Sequence, residues 1–88
     1  MEKRAIRPQI DDLDEQIVRL LNRRAALGLQ VGEAKRVRGE PIHDPDREAE
    51  VIKRVSLMAT GPLPPDALVR IYSRIIEEIR SLEESESG

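Results

Sequence analysis

Two cations lie on the apolar side of the first predicted helix, where helical spacing would normally place hydrophobic side chains. Arg24 is seven residues from both Ile17 and Val31. Lys35 follows Val31 by four residues. A guanidinium buried without a partner is strongly unfavourable, so this face must provide an acidic side chain or bind an anion. For each charge alone, a surface ion pair or a side chain that extends to water is the alternative.

Gly28 and Gly32 lie between these cations, one turn apart on the same side of the helix. Each glycine costs roughly 1 kcal/mol relative to alanine inside a helix. The pair therefore indicates a gain from free space or from close approach of a neighbour. Together with Arg24 and Lys35, the glycines predict a small positive pocket.

Acidic side chains occupy similar positions on two further predicted helices. Glu48 stands at the start of one apolar face, and Glu83 follows Ile79 by four residues on another. Asp44 can cap the helix that contains Glu48, and a capping carboxylate can also face a ligand. Arg7 lies three residues before Ile10 and could join the group from the first turn. The candidate site residues are Arg7, Arg24, Lys35, Asp44, Glu48 and Glu83.

The residue types limit what such a pocket could do. The chain has no cysteine and one histidine, His43, and it shows no glycine-rich phosphate loop and no paired metal ligands. The sequence therefore predicts neither a metal nor a cofactor. A catalytic pocket here would bind, orient and stabilise charge, without covalent or metal chemistry. Cations between apolar walls suit a small polyanionic organic acid.

The amino-acid composition limits the kinds of binding partner and the cellular compartment that we expect. Charged residues make up 36% of the 88 residues, but the net charge is −2, so no general attraction to nucleic acid or to an anionic membrane is expected. No apolar run approaches the roughly 20 residues that span a bilayer, and the N-terminus lacks the hydrophobic segment of a signal peptide. We expect a cytoplasmic protein.

Hydrophobic periodicity predicts an all-α chain of three unequal helices. The first is expected from near Pro8 to about Arg38, where Gly39 and Pro41 would end it. The second would begin at the Asp44 cap with Pro45 in its first position. The third carries apolar residues from Leu68 to Leu82. We expect one domain over residues 1–83 and a frayed tail over residues 84–88.

The first predicted helix is too long for the other two to cover. At 1.5 Å per residue it would extend about 45 Å, beyond the diameter of a compact domain of this size. We therefore expect a homodimer in which the long helices pair. The alternative is a monomer whose long helix bends back at Gly28 or Gly32.

With these motifs in place, the sequence resembles the all-helical class of chorismate mutases from about Arg7 to Glu83. The resemblance rests on three motifs in order: R-x-x-I-x-x-L-D from Arg7, R-x6-V-G-x-x-K from Arg24 and D-P-D-R-E from Asp44. It implies an intertwined homodimer with two shared active sites. It also implies a Claisen rearrangement of chorismate to prephenate, on the way to phenylalanine and tyrosine, without cofactor, nucleophile or metal.

The resemblance also implies roles for the candidate residues. Arg24 would bind one substrate carboxylate, and Arg7 would cross to the partner's pocket to bind the second. Lys35 would donate to a carboxylate and to the ether oxygen, where negative charge grows as the C–O bond breaks. Glu48, with the backbone near Asp44, would hold the substrate hydroxyl.

This chain departs from the family pattern at three positions. Glu83 stands where many members have a glutamine that donates to the ether oxygen, so we expect Glu83 to act in its protonated form, with a pKa raised by apolar surroundings. Ile79 stands where some members have a serine near a substrate carboxylate, so that contact is expected to be missing. Pro8 biases the preceding Arg7 away from helical geometry.

Three alternatives remain open from sequence. An isochorismate pyruvate lyase would share this fold and much of this pocket. A helical dimerisation or regulatory module could keep the shape with little activity, although Arg24, Lys35 and Glu48 are all present. The chain could also be one part of a larger bifunctional enzyme of aromatic amino-acid synthesis.

Overall fold

The first helix is longer than the sequence predicts. The computed structural model describes residues 2–87, and in it α1 spans Lys3–Arg38, 36 residues. The expected start near Pro8 is therefore wrong, and so is the expected bias of Arg7, which is helical. Proline lacks one backbone N–H, and so close to the helix end this removes a single bond, to the carbonyl of Arg4. As predicted, the helix ends at Gly39, whose left-handed φ of 71° suits a residue without Cβ.

Two shorter helices follow. Helix α2 spans Pro45–Leu57, and α3 spans Pro65–Ser87. Asp44 caps α2 as predicted, because its Oδ1 accepts the Arg47 N–H at 3.1 Å. Helix α3 continues past Glu83, so residues 84–87 of the expected frayed tail are helical. Gly88 lies outside the described residues, and the domain boundary after Glu83 stays a prediction.

Helix α3 lies at the centre of the fold and packs against both α1 and α2. The buried hydrophobic residues are Val51 and Val55 of α2 and Ile76 and Ile79 of α3. Leu68 and Tyr72 pack against this cluster and are partly buried. The prediction of an all-α chain with three helices is confirmed for residues 2–87.

The chain is elongated, and one face of α1 is left open. The described residues measure 55 × 24 × 14 Å with a radius of gyration of 16.0 Å, against about 12 Å for a compact domain of this length. Helix α1 continues through Gly28 and Gly32 without a break, so the alternative of a helix bent back there is wrong. Its apolar face is half exposed at Ile10, Leu13, Ile17, Leu20, Leu27 and Val31. No helix among the described residues has an apolar stretch suited to crossing a membrane.

Candidate active site

A cavity of about 310 Å³ lies among the three helices beside the C-terminal half of α1. It collects residues that are far apart in the sequence. Five of the six predicted site residues line it, namely Arg24, Lys35, Asp44, Glu48 and Glu83. Arg7 lies outside it, because it stands 17 residues before Arg24 on a straight helix, a separation of about 25 Å.

Lys35 is held at the end of α1 by the segment that leads into α2. Its Nζ donates to the carbonyl of Ile42 at 3.1 Å and lies 3.9 Å from Oδ2 of Asp44. The side chain is 18% exposed. Because Asp44 uses its other oxygen to cap α2, one carboxylate both starts the helix and faces the pocket cation. The ammonium retains donor capacity for a ligand, since it has three protons.

Glu48 projects from the first turn of α2 and is held from α3. Nη1 of Arg80 donates to both of its carboxylate oxygens, at 2.9 and 3.1 Å. Nε2 of His43 lies 3.6 Å from Oε1 of Glu48. These contacts fix an acceptor carboxylate at the wall of the cavity.

Arg24 reaches the cavity from the middle of α1. Its guanidinium carbon lies 5.4 Å from the centroid of the Tyr72 ring, within the range of a cation–π interaction. The ring supports the cation without using its N–H donors, so these donors remain available to a carboxylate. Among the described residues, Arg24 forms no ion pair within 4.0 Å, so the anion that the sequence requires near it is left for a ligand to supply.

Gly28 and Gly32 allow α3 to approach α1 closely, which is one of the two gains that their cost in the helix indicated. A Cβ at Gly28 would lie 2.7 Å from Cγ2 of Ile79 and 2.8 Å from Oε1 of Glu83. A Cβ at Gly32 would lie 3.3 Å from both Cβ and Cγ of Glu83. The two glycines thus seat Glu83 against the α1 backbone, where it faces the cavity.

The surroundings of Glu83 act on its protonation in opposite directions. Burial raises the pKa of this carboxyl above its ordinary value, as predicted, while Lys35 and Arg24 lower the pKa and Glu48 and Glu84 raise it. Burial is the strongest of these influences. The protonated form, which carries an O–H donor, is therefore favoured relative to an exposed glutamate.

Replacing Gly28 with alanine should move α3 away from α1. The new methyl group gains about 1 kcal/mol of helix propensity, but it overlaps Ile79, and such overpacking costs typically 1–3 kcal/mol. We expect a lower melting temperature and a loss of activity of about 10-fold, because Glu83 is displaced. Thermal unfolding and steady-state kinetics would measure both.

The second substitution Ile79→Ala provides the control for this overlap, because it removes the Cγ2 atom that the new methyl group would meet. We expect the two changes to be coupled, so that Gly28→Ala is less destabilising in the Ile79→Ala background. Equal destabilisation in both backgrounds would contradict the overlap with Ile79 as the cause.

Sequence reasoning missed three arginines that line the cavity, Arg47, Arg54 and Arg80. Arg80 was detectable, since it follows Ile76 by four residues and precedes Glu83 by three, on the same helical face. Arg47 lies within the D-P-D-R-E motif, next to Glu48, but its charge is also typical of a solvated first turn. Nothing in the spacing distinguishes Arg54 from an ordinary exposed cation of α2, such as Lys53.

The arrangement suits a small anion with an additional hydroxyl group. Arg24 and Lys35 are cationic donors, Glu48 is a fixed acceptor, and Val51, Ile76 and Ile79 form apolar walls. Among residues 2–87, no three His, Cys, Asp or Glu side chains are grouped so that they could hold a metal ion.

Comparison with known proteins identifies the family. The family model described as "Chorismate mutase type II" matches residues 6–84. A bifunctional chorismate mutase/prephenate dehydratase of Aquifex aeolicus is 42% identical over 86 residues, which is 93% of this chain and 24% of that protein. The chain thus spans about a quarter of the length of this relative.

Two solved structures have the same fold. Chorismate mutase (form II) from Thermus thermophilus superposes with a TM-score of 0.90 at 30% identity, covering 92% of both chains. Chorismate mutase from Helicobacter pylori, solved in complex with prephenate, gives a TM-score of 0.84 at 29% identity, covering 93% of this chain and 89% of that one.

Proposed function

Because this chain belongs to the type II chorismate mutase family, we propose that it catalyses the Claisen rearrangement of chorismate to prephenate. The observation that carries the proposal is the cavity itself, in which Arg24, Lys35, Glu48 and Glu83 converge from three helices. The reaction breaks one C–O bond and forms one C–C bond within a single molecule. It requires a bound conformation and stabilisation of charge, and this pocket is built to supply both.

The cations bind and orient the substrate. Arg24 binds one carboxylate with donors that its contact with Tyr72 leaves available. Lys35 donates to a carboxylate and to the ether oxygen, where negative charge increases as the C–O bond breaks. Holding the enolpyruvyl group over the ring converts a rare conformer of chorismate into the bound one, which supplies the orientation part of the rate increase.

The carboxyl groups act on the other two polar parts of the substrate. Glu48 is held by Arg80 and accepts a hydrogen bond from the ring hydroxyl, with the backbone near Asp44 beside it. Protonated Glu83 donates to the ether oxygen, the role that a glutamine fulfils in many members of the family. Ile79 supplies an apolar contact where some members have a serine.

A direct assay tests the proposed activity. Purified chain is incubated with chorismate, and chorismate, prephenate, salicylate and pyruvate are separated and quantified by chromatography. We expect prephenate in equal amount to the chorismate consumed, and none from Arg24→Ala. A parallel incubation uses isochorismate as the substrate. Salicylate and pyruvate as the products would indicate an isochorismate pyruvate lyase. No turnover of either compound by folded protein would indicate a binding or regulatory module.

The working form that we propose is a homodimer with shared sites. The apolar face of α1 is half exposed along its length, with Leu20 at 59%. Two further grooves beside α3 are lined mainly by apolar side chains, one of them by Leu21, Ala25, Ile71, Ile75 and Leu82. A second copy of α1 would cover such surfaces and would bring Arg7 to the cavity of the partner, where it binds the second carboxylate.

Mixing two inactive variants should restore activity if the sites are shared. Arg7→Ala and Arg24→Ala homodimers each lack one arginine in every site. After subunit exchange at equal amounts, half of the dimers are mixed, and each mixed dimer has one intact site of two. We therefore expect about a quarter of the wild-type activity. Two affinity tags would show whether mixed dimers form. Mixed dimers without activity would contradict the crossing of Arg7. Wild-type activity of Arg7→Ala alone would contradict it as well.

The relatives named as bifunctional suggest the partner. Because the Aquifex protein is about four times as long as the match, we propose that this domain works with an enzyme that consumes prephenate, on the same chain or on a separate one. A cytoplasmic location, as predicted, is part of the same proposal.

A further inference from the structure

Arg80 has no part in the proposed binding of the substrate, yet it lines the cavity and makes the bond that joins α2 to α3 there. Its Nη1 donates to both oxygens of Glu48, at 2.9 and 3.1 Å. Both side chains are 27% exposed. Its Nε lies 3.7 Å from Oε1 of Glu84, so a second carboxylate restrains the guanidinium from its other side. The side chain is thus fixed at both ends of its guanidinium group.

The cavity contains two glutamates with opposite hydrogen-bonding tasks in the proposed reaction. Glu48 accepts from the substrate hydroxyl, whereas Glu83 must be protonated to donate to the ether oxygen. Two neighbouring carboxyl groups with different surroundings are a common way to divide these tasks. Arg80 donates to both carboxylate oxygens of Glu48, so it acts on this member of the pair. The other member, Glu83, is held by its close packing against Gly28 and Gly32.

We propose that Arg80 is a positioning residue, which holds the side chain of Glu48 oriented as the acceptor for the ring hydroxyl of the substrate. The inference rests on the proposed chorismate mutase function and deepens it. Without Arg80, the Glu48 carboxylate keeps Nε2 of His43 as a neighbour, at 3.6 Å from Oε1. It would rotate toward solvent or His43, and the hydroxyl would lose its partner. The expected loss is specific to substrates that carry this hydroxyl.

A second role for Arg80 would be direct contact with a substrate carboxylate, and a double-mutant cycle separates the two. If Arg80 acts through Glu48, its removal matters only while Glu48 is a carboxylate. If it contacts the substrate, its removal costs the same in both backgrounds. The variants are Arg80→Met, Arg80→Lys, Glu48→Gln and the double substitution Arg80→Met with Glu48→Gln. The matched control is Arg70→Met, because Arg70 lies on the same helix in an exposed pair with Asp66.

The wild-type assay comes first, because an inactive wild type would overturn the proposed function, whereas the remaining outcomes concern Arg80 alone. We expect Arg80→Met to lower kcat/KM by about 10- to 30-fold, the scale of losing one charged hydrogen-bond partner. Arg80→Lys should recover part of it, and Arg70→Met should stay at the wild-type value. In the Glu48→Gln background, Arg80→Met should change kcat/KM by less than about 2-fold.

A substrate analogue without the ring hydroxyl provides a readout that a loss of folding stability alone would not reproduce. We expect Arg80→Met to turn over this analogue as wild type does, so that its preference for chorismate shrinks by the same 10- to 30-fold. An equal loss on both compounds, an equal loss in both Glu48 backgrounds, or no loss at all would each overturn the proposal.

Discussion

Replacing Lys35 with methionine should lower kcat/KM for chorismate by about 10³-fold, the upper range for removing one donor to developing negative charge. Methionine keeps the length and most of the apolar packing of the side chain but has no proton to donate. The effect should appear mainly in kcat, because the charge on the ether oxygen grows only as the C–O bond breaks. Steady-state kinetics over a range of chorismate concentrations would separate kcat from KM.

The matched control is Lys53→Met, since Lys53 is an exposed lysine of α2 that does not line the cavity. It should retain wild-type kinetics. Lys35 also binds the carbonyl of Ile42, so thermal unfolding must show that the variant is folded at the assay temperature. A folded Lys35→Met variant with less than a 10-fold loss would contradict the electrostatic role.

Glu83→Gln should convert an enzyme whose activity falls with rising pH into one whose activity is nearly independent of pH over the same range. In the wild type the protonated carboxyl is the donor, so activity falls as pH rises through the pKa of Glu83, which burial raises. An amide keeps its N–H protons at every pH. We expect a ratio of variant to wild-type activity that grows about 10-fold for each pH unit above that pKa. Profiles of kcat and kcat/KM against pH would measure it.

The two profiles should also differ from each other. Lys35 and Arg24 lower the pKa of Glu83 in the free protein, and burial outweighs them. A bound dianion offsets both cations, so the pKa rises further in the complex. The fall in kcat should therefore occur at higher pH than the fall in kcat/KM, because these parameters report the complex and the free enzyme respectively. Coincident profiles would contradict the coupling between Glu83 and the two cations.

The pH dependence of folding stability independently checks that the pKa of Glu83 is raised in the folded protein. A carboxyl group whose pKa is higher in the folded than in the unfolded state destabilises the folded state once it is ionised. This destabilisation is absent at acid pH and appears as pH rises. Glu83→Gln should therefore raise the melting temperature more at pH 8 than at pH 4. Glu77→Gln, an exposed residue of the same helix, is the control. If the activity of Glu83→Gln depends on pH as that of the wild type does, the proposed role of protonated Glu83 as a donor is overturned.

The features predicted correctly from sequence are those with a local physical cause. The start of α2 follows from Asp44 as a cap and Pro45 after it, and the end of α1 follows from Gly39. The convergence of Arg24 and Lys35 on a cavity follows from their place in an apolar stripe, where a charge is unfavourable without a purpose. The close approach at Gly28 follows from the cost of glycine in a helix.

The features that were missed depend on which helix packs against which. That Arg80 reaches Glu48 requires the register of α2 against α3, and helical periodicity does not contain that register. The contact of Arg24 with Tyr72 requires the corresponding register of α1 against α3. Pro8 misled for a different reason: the preference of the residue before a proline is statistical, and α1 continues through Pro8 although one hydrogen bond is lost there.

The continuity of α1 has a consequence for how such sequences can change in length. Arg7 and Arg24 are carried by one uninterrupted helix, so each inserted residue between them would turn one arginine by about 100° and advance it by about 1.5 Å relative to the other. If both arginines bind chorismate in neighbouring sites, an insertion or deletion between them would change the angle and the distance between them. The two arginines would then no longer fit both sites. Length can vary instead in segments outside this interval, such as the turn after Leu57, where an added residue leaves the distance and the angle between the two arginines unchanged.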